Sequence, residues 1–500
     1  MANLLKRQGF YNSIILYVGT ALGFLNLAVL FQRFLTTEQI GFFSLMIALS
    51  LLYTQLASVG ISNIIPKYFP YYRSDDKKHG GFVTFVLIWC AIGFFTLTVF
   101  FILFKDSVIA HYRNEKGSSL LVKYYYYLVP VSFLTTIYAA LESMGSTVFK
   151  NVLSSFLREV VLRAFTLISI LLIAFSLINY QDFLMIYIVA NVIMVIVLWR
   201  YIYKGKDFKL APVSKKLMQN KNTFIKYGIF TVLSSSSFVL IQNLDIIMLT
   251  TITKNLALVG IYTTFFAIAV VISLPAKALS RTSLQIISQS WAENDLAKIS
   301  KIYYKTSVVQ MLIGCLLFIG LIINRPFVMW VLHKPIYANY FDVFIVVGLA
   351  FLVDMTGGIN GYILNVSKYY KWTTYIIGFS VLVCGAANWI LIPRMGIMGA
   401  AVAYLLTMFL LNFMYWIFLK IKFGLQPFGK IHFLVLLISL ITFCAGWFMP
   451  AFSNFWVDMI VRSGIVGLIY ITMAYFLNIS EDINQVINKI LKIKQVPHVK

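Results

Sequence analysis

Acidic side chains are scarce in this chain: 17 aspartates and glutamates stand against 41 lysines and arginines in 500 residues. Charged residues of both signs reach only 12%, about half the ~25% of a soluble domain. That density cannot build a water-facing surface, so a soluble globular protein is excluded. Cysteines are also few. Cys90, Cys315, Cys384 and Cys444 each lie in an apolar run, and none belongs to a CxxC pair. A disulfide framework is excluded, and the four read as small buried side chains. The five histidines are scattered without metal-ligand spacing. No phosphate-cradling glycine loop of an ATPase occurs, so energy would come from an ion gradient or from substrate flux. No cofactor is expected.

What is abundant is apolar surface. The chain is 60% hydrophobic, with a mean hydropathy of +0.86. Its apolar runs are about 20 residues long, the length of a helix that crosses a hydrocarbon core of about 30 Å. They do not alternate in polarity as the strands of a membrane barrel do. The fold class is therefore an all-α integral membrane protein. About fourteen spans are expected, near 12–32, 39–62, 81–104, 119–140, 156–178, 183–203, 224–250, 256–279, 304–324, 339–362, 371–392, 396–419, 430–450 and 455–477. The first is too long for a cleaved signal peptide and has no small-residue cleavage site.

Cytoplasmic loops collect lysine and arginine. With the N-terminus inside, 31 of the 41 basic residues fall on the inner side and 10 on the outer. A missed span would scramble the later loops, so the bias supports an even count with both termini cytoplasmic. The net charge of +24 then follows from topology and from attraction to anionic membrane lipids. Nucleic acid is not an expected partner.

The longest basic connection, 204–223, follows the sixth span and divides the chain into an N-terminal half (1–203) and a second half (224–420). Spans thirteen and fourteen occupy 421–479. Residues 480–500 place Ile483, Val486, Ile487 and Ile490 at helical spacing, as in an amphipathic helix on the inner membrane face. A shift of 219 residues lays the first half on the second: Asn26 on Asp245, Gly41 on Gly260, Phe43 on Tyr262, Ser44 on Thr263. Six spans separate the copies, so they run in the same direction.

Charge within a span is costly and faces a cavity or a partner. Arg158, Glu159 and Arg163 lie in the fifth span, Asp245 in the seventh, Lys277 in the eighth and Asp354 in the tenth. Glu159 and Arg163, four apart, can pair along one helix, which leaves Arg158 free. Tyr227, Ser234 and Asp245 form one helical stripe, and Asn12, Gly19, Asn26 and Arg33 another. Two such stripes on repeat-related helices suggest that both face a shared space. A helix–helix hydrogen bond is the alternative role for Asp245.

Four stretches resemble a known family. FQRFLTTEQIGFFSL (31–45) is similar to the link between the first two spans of oligosaccharide flippases, and LDIIMLTTITKNLALVGIYTT (244–264) to its partner between the seventh and eighth. GYILNVSKYYKWT (361–373) resembles the link between the tenth and eleventh spans, and IPRMGIMGAAVAY (392–404) the opening of the twelfth. The family is the polysaccharide transporter branch of the multidrug/oligosaccharidyl-lipid/polysaccharide exporter superfamily, including the Wzx-type O-antigen flippases. The resemblance implies two six-helix lobes forming a V-shaped central cavity, plus two C-terminal helices, in a bacterial inner membrane. It implies that a polyprenyl-diphosphate-linked oligosaccharide is flipped from the cytoplasmic to the outer leaflet, with other polysaccharide-assembly membrane proteins as partners.

On that reading the diphosphate needs cations, and Arg158, Arg163, Lys277 and, near the rims, Lys67 and Arg281 suit it. Asp245 and Asp354 would bind H⁺ or Na⁺ or contact sugar, as would Asn26. Two other classes compete. A drug/cation antiporter of the same superfamily shares the fold but does not favour arginines in its cavity. A membrane glycosyltransferase, polymerase or ligase needs a catalytic base or arginine-rich outer loops, and the outer loops here are short.

Overall fold

In the computed structural model, every regular element among the described residues is a helix. The backbone is described at residues 2–112, 115–148, 150–204, 209–232, 237–450, 452–481, 484, 485 and 488. Side chains are described at the same positions except 2–10, 116, 230, 237, 238, 277, 278, 281 and 282. Among these residues twelve helices are long and apolar enough to cross a membrane. We number them with two further helices in chain order. They are α1 (Tyr11–Phe34), α2 (Thr37–Tyr72), α3 (His79–Leu103), α4 (Tyr125–Thr147), α5 (151–174), α6 (Tyr180–Lys204), α7 (Val239–Thr253) and α8 (Leu256–Ala276). Then follow α9 (Leu296–Ile323), α10 (Pro335–Thr356), α11 (Lys371–Met395), α12 (Ile397–Phe423), α13 (Lys430–Trp447) and α14 (Phe455–Phe476). The two outside that set are α5, which carries Arg158, Glu159 and Arg163, and α7, which is apolar but short. The expected seventh span is built from helix Lys221–Thr231 and helix Ser237–Thr253. The expected amphipathic segment 480–500 falls mostly outside the described residues.

Local chemistry sets the helix ends. Thr36 accepts from the Gln39 backbone N–H at 3.2 Å while the Gln39 side chain accepts from the Thr36 N–H at 2.9 Å. This reciprocal cap starts α2 directly after the polar turn. Left-handed Val59 and Gly60, at φ 44° and 75°, divide α2 into Thr37–Ser58 and Ile61–Tyr72.

The chain forms two compact units, Met1–Ala267 with Val381–Ala400, and Ile268–Ser380 with Ala401–Lys500. In the first, α2 and α4 run parallel. Ser132 bonds to Ser50, Thr136 to Thr54 and Ser143 to the Ser62 carbonyl, at near-constant sequence offset. The 219-residue repeat is physically present in the same unit. A Cβ on Gly41 would lie 1.9 Å from the Leu256 carbonyl oxygen, and a Cβ on Gly260 would lie 2.0 Å from the Thr37 carbonyl oxygen. Leu256 is the repeat mate of Thr37. Ser44 and its mate Thr263 hydrogen-bond to each other at 3.2 Å. A contact in which i meets j′ and j meets i′ is what a local two-fold axis produces. Glycine at both positions lets the two backbones approach this closely.

In the second unit, Tyr470 of α14 donates to the Leu312 carbonyl of α9 at 2.9 Å. Ser307 of α9 donates to the Thr356 carbonyl at 2.6 Å and meets His432 Nε2 of α13 at 2.9 Å. Arg462 and Asp458 form a pair along α14 at 2.9 Å, and Arg462 also donates to the Gly446 carbonyl at 2.6 Å.

Candidate functional site

Two polar junctions occupy corresponding places in the repeat of the first unit. One joins α7 to α11, and the other joins α1 to α5. Six helices separate α7 from α1, and six separate α11 from α5.

At the α7–α11 junction, Asp245 is fully buried. Tyr262 of α8 donates its hydroxyl to Oδ2 at 2.8 Å. Asn388 of α11 donates Nδ2–H to Oδ1 at 2.7 Å, and the Cys384 thiol points at the same oxygen from 3.6 Å. These three donors are neutral. The Asn388 side-chain oxygen is itself buried and has no hydrogen-bond partner among the described residues. The sequence favours a shared space for this carboxylate, with a helix–helix hydrogen bond as the alternative. The structure corrects that: the phenol, amide and thiol enclose it, and Asp245 bridges helices. Its stripe mate Ser234 lies outside the described residues.

At the α1–α5 junction the polar groups carry charge. Arg163 pairs with Glu159 at 2.8 Å, as their spacing predicts, and also reaches the Gly19 carbonyl of α1. Asn26 of α1, nearly buried, donates to the Arg163 carbonyl at 2.8 Å. A Cβ on Gly19 would lie 2.6 Å from the Glu159 carbonyl oxygen. So the Gly19–Asn26 stripe packs on α5 rather than facing a shared space, a second correction. Its physical reason is that glycine allows close helix approach, and the Asn26 amide finds a carbonyl of the facing helix to donate to. Both helices also carry a π-helical turn near this contact, Leu25–Leu30 in α1 and Leu157–Val161 in α5. Such turns break the regular hydrogen-bond ladder and often mark functional positions.

Arg158, expected free, is not: it forms an ion pair with Glu142 of α4 and lies over the Tyr138 ring at 5.5 Å. The pair remains partly open, with the two side chains 45% and 30% exposed. The junction thus holds two arginines and two glutamates, neutral in sum, whereas the α7–α11 junction holds a carboxylate met by neutral donors.

The other predicted residues are dispersed. Lys67 is exposed, its ammonium 3.6 Å from the centre of the Tyr227 ring. Asp354 is exposed in the second unit and accepts from Asn412 at 3.1 Å; Asn360 donates to the same Asn412. The side chains of Lys277 and Arg281 lie outside the described residues. Sequence reasoning missed Glu142, Tyr262, Asn388 and the Asp458–Arg462 pair. Glu142 and Asn388 carried a usable signal, since each is a polar side chain inside an apolar run.

The sequence profile of the family described as "polysaccharide biosynthesis protein" matches residues 5–280, more than half of the chain. No curated protein matches the sequence. Among solved structures, one titled lipid II flippase MurJ, inward closed conformation, shares the fold with a TM-score of 0.74 at 15% identity, covering 95% of this chain and 99% of that one. An inward-facing multidrug resistance MATE family transporter of the MOP superfamily gives 0.65 at 12% identity, covering 83% and 98%. A MOP superfamily transporter from Pyrococcus furiosus, described by the reverse polarity of its binding pocket, gives 0.55 at 13%, covering 84% and 96%. At these identities the likeness is one of fold. The profile match, over more than half of a multi-pass helical chain, places the protein in the polysaccharide biosynthesis protein family.

Proposed function

We propose that the protein is a flippase that carries a polyprenyl-diphosphate-linked oligosaccharide from the cytoplasmic to the outer leaflet for surface polysaccharide assembly. The observation that carries this reading is coverage. The flippase fold accounts for 95% of the chain and the drug-transporter fold for 83%, with the higher TM-score on the flippase. The family's description supports the same substrate class. The reading keeps fourteen spans in a bacterial inner membrane with both termini cytoplasmic, the repeat halves 1–203 and 224–420, and transport rather than catalysis.

Within it, the partly open Arg158 is the cation best placed to exchange Glu142 for a diphosphate oxygen. Arg163, tied to Glu159, Gly19 and Asn26, holds α1 against α5. Asp245 responds to H⁺ or Na⁺. A buried carboxylate met by neutral donors is costly while ionised, and a proton or small cation removes that cost. The orphan Asn388 oxygen beside it would serve as a second acceptor.

A drug antiporter is the competing reading, favoured by the MATE likeness. Cells depleted of the protein separate the two. The flippase reading expects lipid-linked oligosaccharide to accumulate undelivered and surface glycan to fall several-fold, with drug sensitivity unchanged. Unchanged surface glycan with raised sensitivity to cationic drugs would reverse the assignment.

A further inference from the structure

Two connections that are far apart in sequence form one ordered surface. The first runs from Tyr72 to Gly81, between α2 and α3; the second runs over 209–220, ahead of helix Lys221–Thr231. Lys209 N–H donates to the Lys77 carbonyl at 2.8 Å, and Ser214 N–H to the Gly80 carbonyl at 2.9 Å. Thr84 donates its hydroxyl to the Ala211 carbonyl at 2.7 Å, and Asn220 donates to the Tyr72 hydroxyl at 2.9 Å. Gly81, at φ 78°, sits where a Cβ would lie 2.2 Å from the Pro212 carbonyl oxygen. Beneath the surface, Leu217 and Phe224 are buried, and Phe224 packs edge-on against Tyr68 and Tyr72. The first loop is braced internally: Asp76 accepts from the Ser74 hydroxyl at 2.5 Å and from the Lys78 N–H at 2.9 Å. The segment 209–220, which the sequence reads as part of a linker, is therefore docked.

Its outward face is strongly basic. Arg73, Lys78, Lys209, Lys215, Lys216 and Lys221 are all exposed, against two acidic side chains, Asp75 and Asp76. Between the cations stand exposed apolar tips: Tyr71 is 78% exposed, Leu210 54% and Met218 50%. Cations alternating with apolar tips, within a few residues of spanning helices, are the pattern of a surface that lies in the headgroup layer.

We propose that this surface binds the anionic headgroups of the bilayer phospholipids and thereby holds the segment 209–220 on the membrane. The charge of the pad repels other basic faces and complements phosphate. The proposal does not depend on what the protein transports; the orientation given above sets only which leaflet is bound.

The test uses the full chain in detergent, with lipid retained on the protein counted by native mass spectrometry. Phosphatidylglycerol, phosphatidylcholine and an isoprenyl diphosphate are offered separately. We expect selective retention of phosphatidylglycerol over phosphatidylcholine and release in 0.5 M salt, since the contacts are exposed and screened. In K215Q/K216Q/K221Q the affinity should fall by about fivefold per lysine. The double variant K368Q/K371Q, outside the pad, should retain lipid as the parent does. Because the three lysines are exposed, thermal unfolding without lipid should be unchanged. Should the triple variant be unstable, salt release from the unaltered protein decides. Equal retention of the two phospholipids, retention unaffected by salt or by the triple change, or retention of the isoprenyl diphosphate alone would each overturn the proposal.

Discussion

Asp245 is enclosed by a phenol, an amide and a thiol from α8 and α11, and that enclosure defines what its substitution should do. Asp245→Asn keeps the size and most of the hydrogen bonding while removing the charge. We expect normal amounts in the membrane and loss of gradient-dependent transport, measured as glycan export at matched expression; full export would leave Asp245 as a packing residue. The two arginines should separate in the opposite sense. Arg163→Ala removes a guanidinium bound to Glu159 and to the Gly19 carbonyl. It should cost on the order of 1–3 kcal/mol and lower the thermal unfolding temperature. Arg158→Ala, at a partly open pair, should leave unfolding nearly unchanged and cut transport at least tenfold. Equal loss of stability in both would make the pair at Arg158 structural. At this scale the sequence located every one of these charges from their rarity in apolar runs. Spacing gave the Glu159–Arg163 pair and not the partners of Arg158 and Asp245, because Glu142, Tyr262 and Asn388 sit on other helices whose packing no spacing rule encodes.

Among the elements, the α2–α8 contact is the most exacting. Both glycines bring a backbone carbonyl to about 2 Å from where a Cβ would stand, and carbonyls on helices cannot swing aside as side chains do. Gly41→Ala and Gly260→Ala should therefore each force the helices apart, at about 1–3 kcal/mol, and by the local two-fold they should cost similar amounts. Gly378→Ala and Gly464→Ala, which meet nothing within 4 Å, serve as controls in the same thermal unfolding series. A harmless Gly41→Ala would contradict the close approach. The shift of 219 residues was legible in the sequence, because a repeat leaves matched small residues. That the matched residues touch one another was not, since self-contact across an axis leaves no mark along one strand of text. Hydropathy placed spans at α5 and α7 as at the other twelve; these two fall short as spanning helices among the described residues because α5 carries three charges and α7, Val239–Thr253, is short.

For the whole molecule, composition alone fixed the solvent, because 12% charge leaves lipid as the only surroundings. The family followed from the residues joining α1 to α2, α7 to α8, α10 to α11 and α11 to α12, and the profile match covers the first two of these. The transported molecule is legible in neither sequence nor fold, since the same architecture also appears in drug transporters. The central claim is movement of a lipid-linked oligosaccharide, and reconstitution measures it directly. Purified protein is placed in vesicles carrying a fluorescent polyprenyl-diphosphate oligosaccharide, and the fraction of glycan accessible to an added glycosidase is followed with time, with and without an ion gradient. The account expects nearly all of the glycan to become accessible with the protein, about half in protein-free vesicles, and a rate reduced at least tenfold by Arg158→Ala. Accessibility that stays at about half with the protein present, under every gradient, would contradict it.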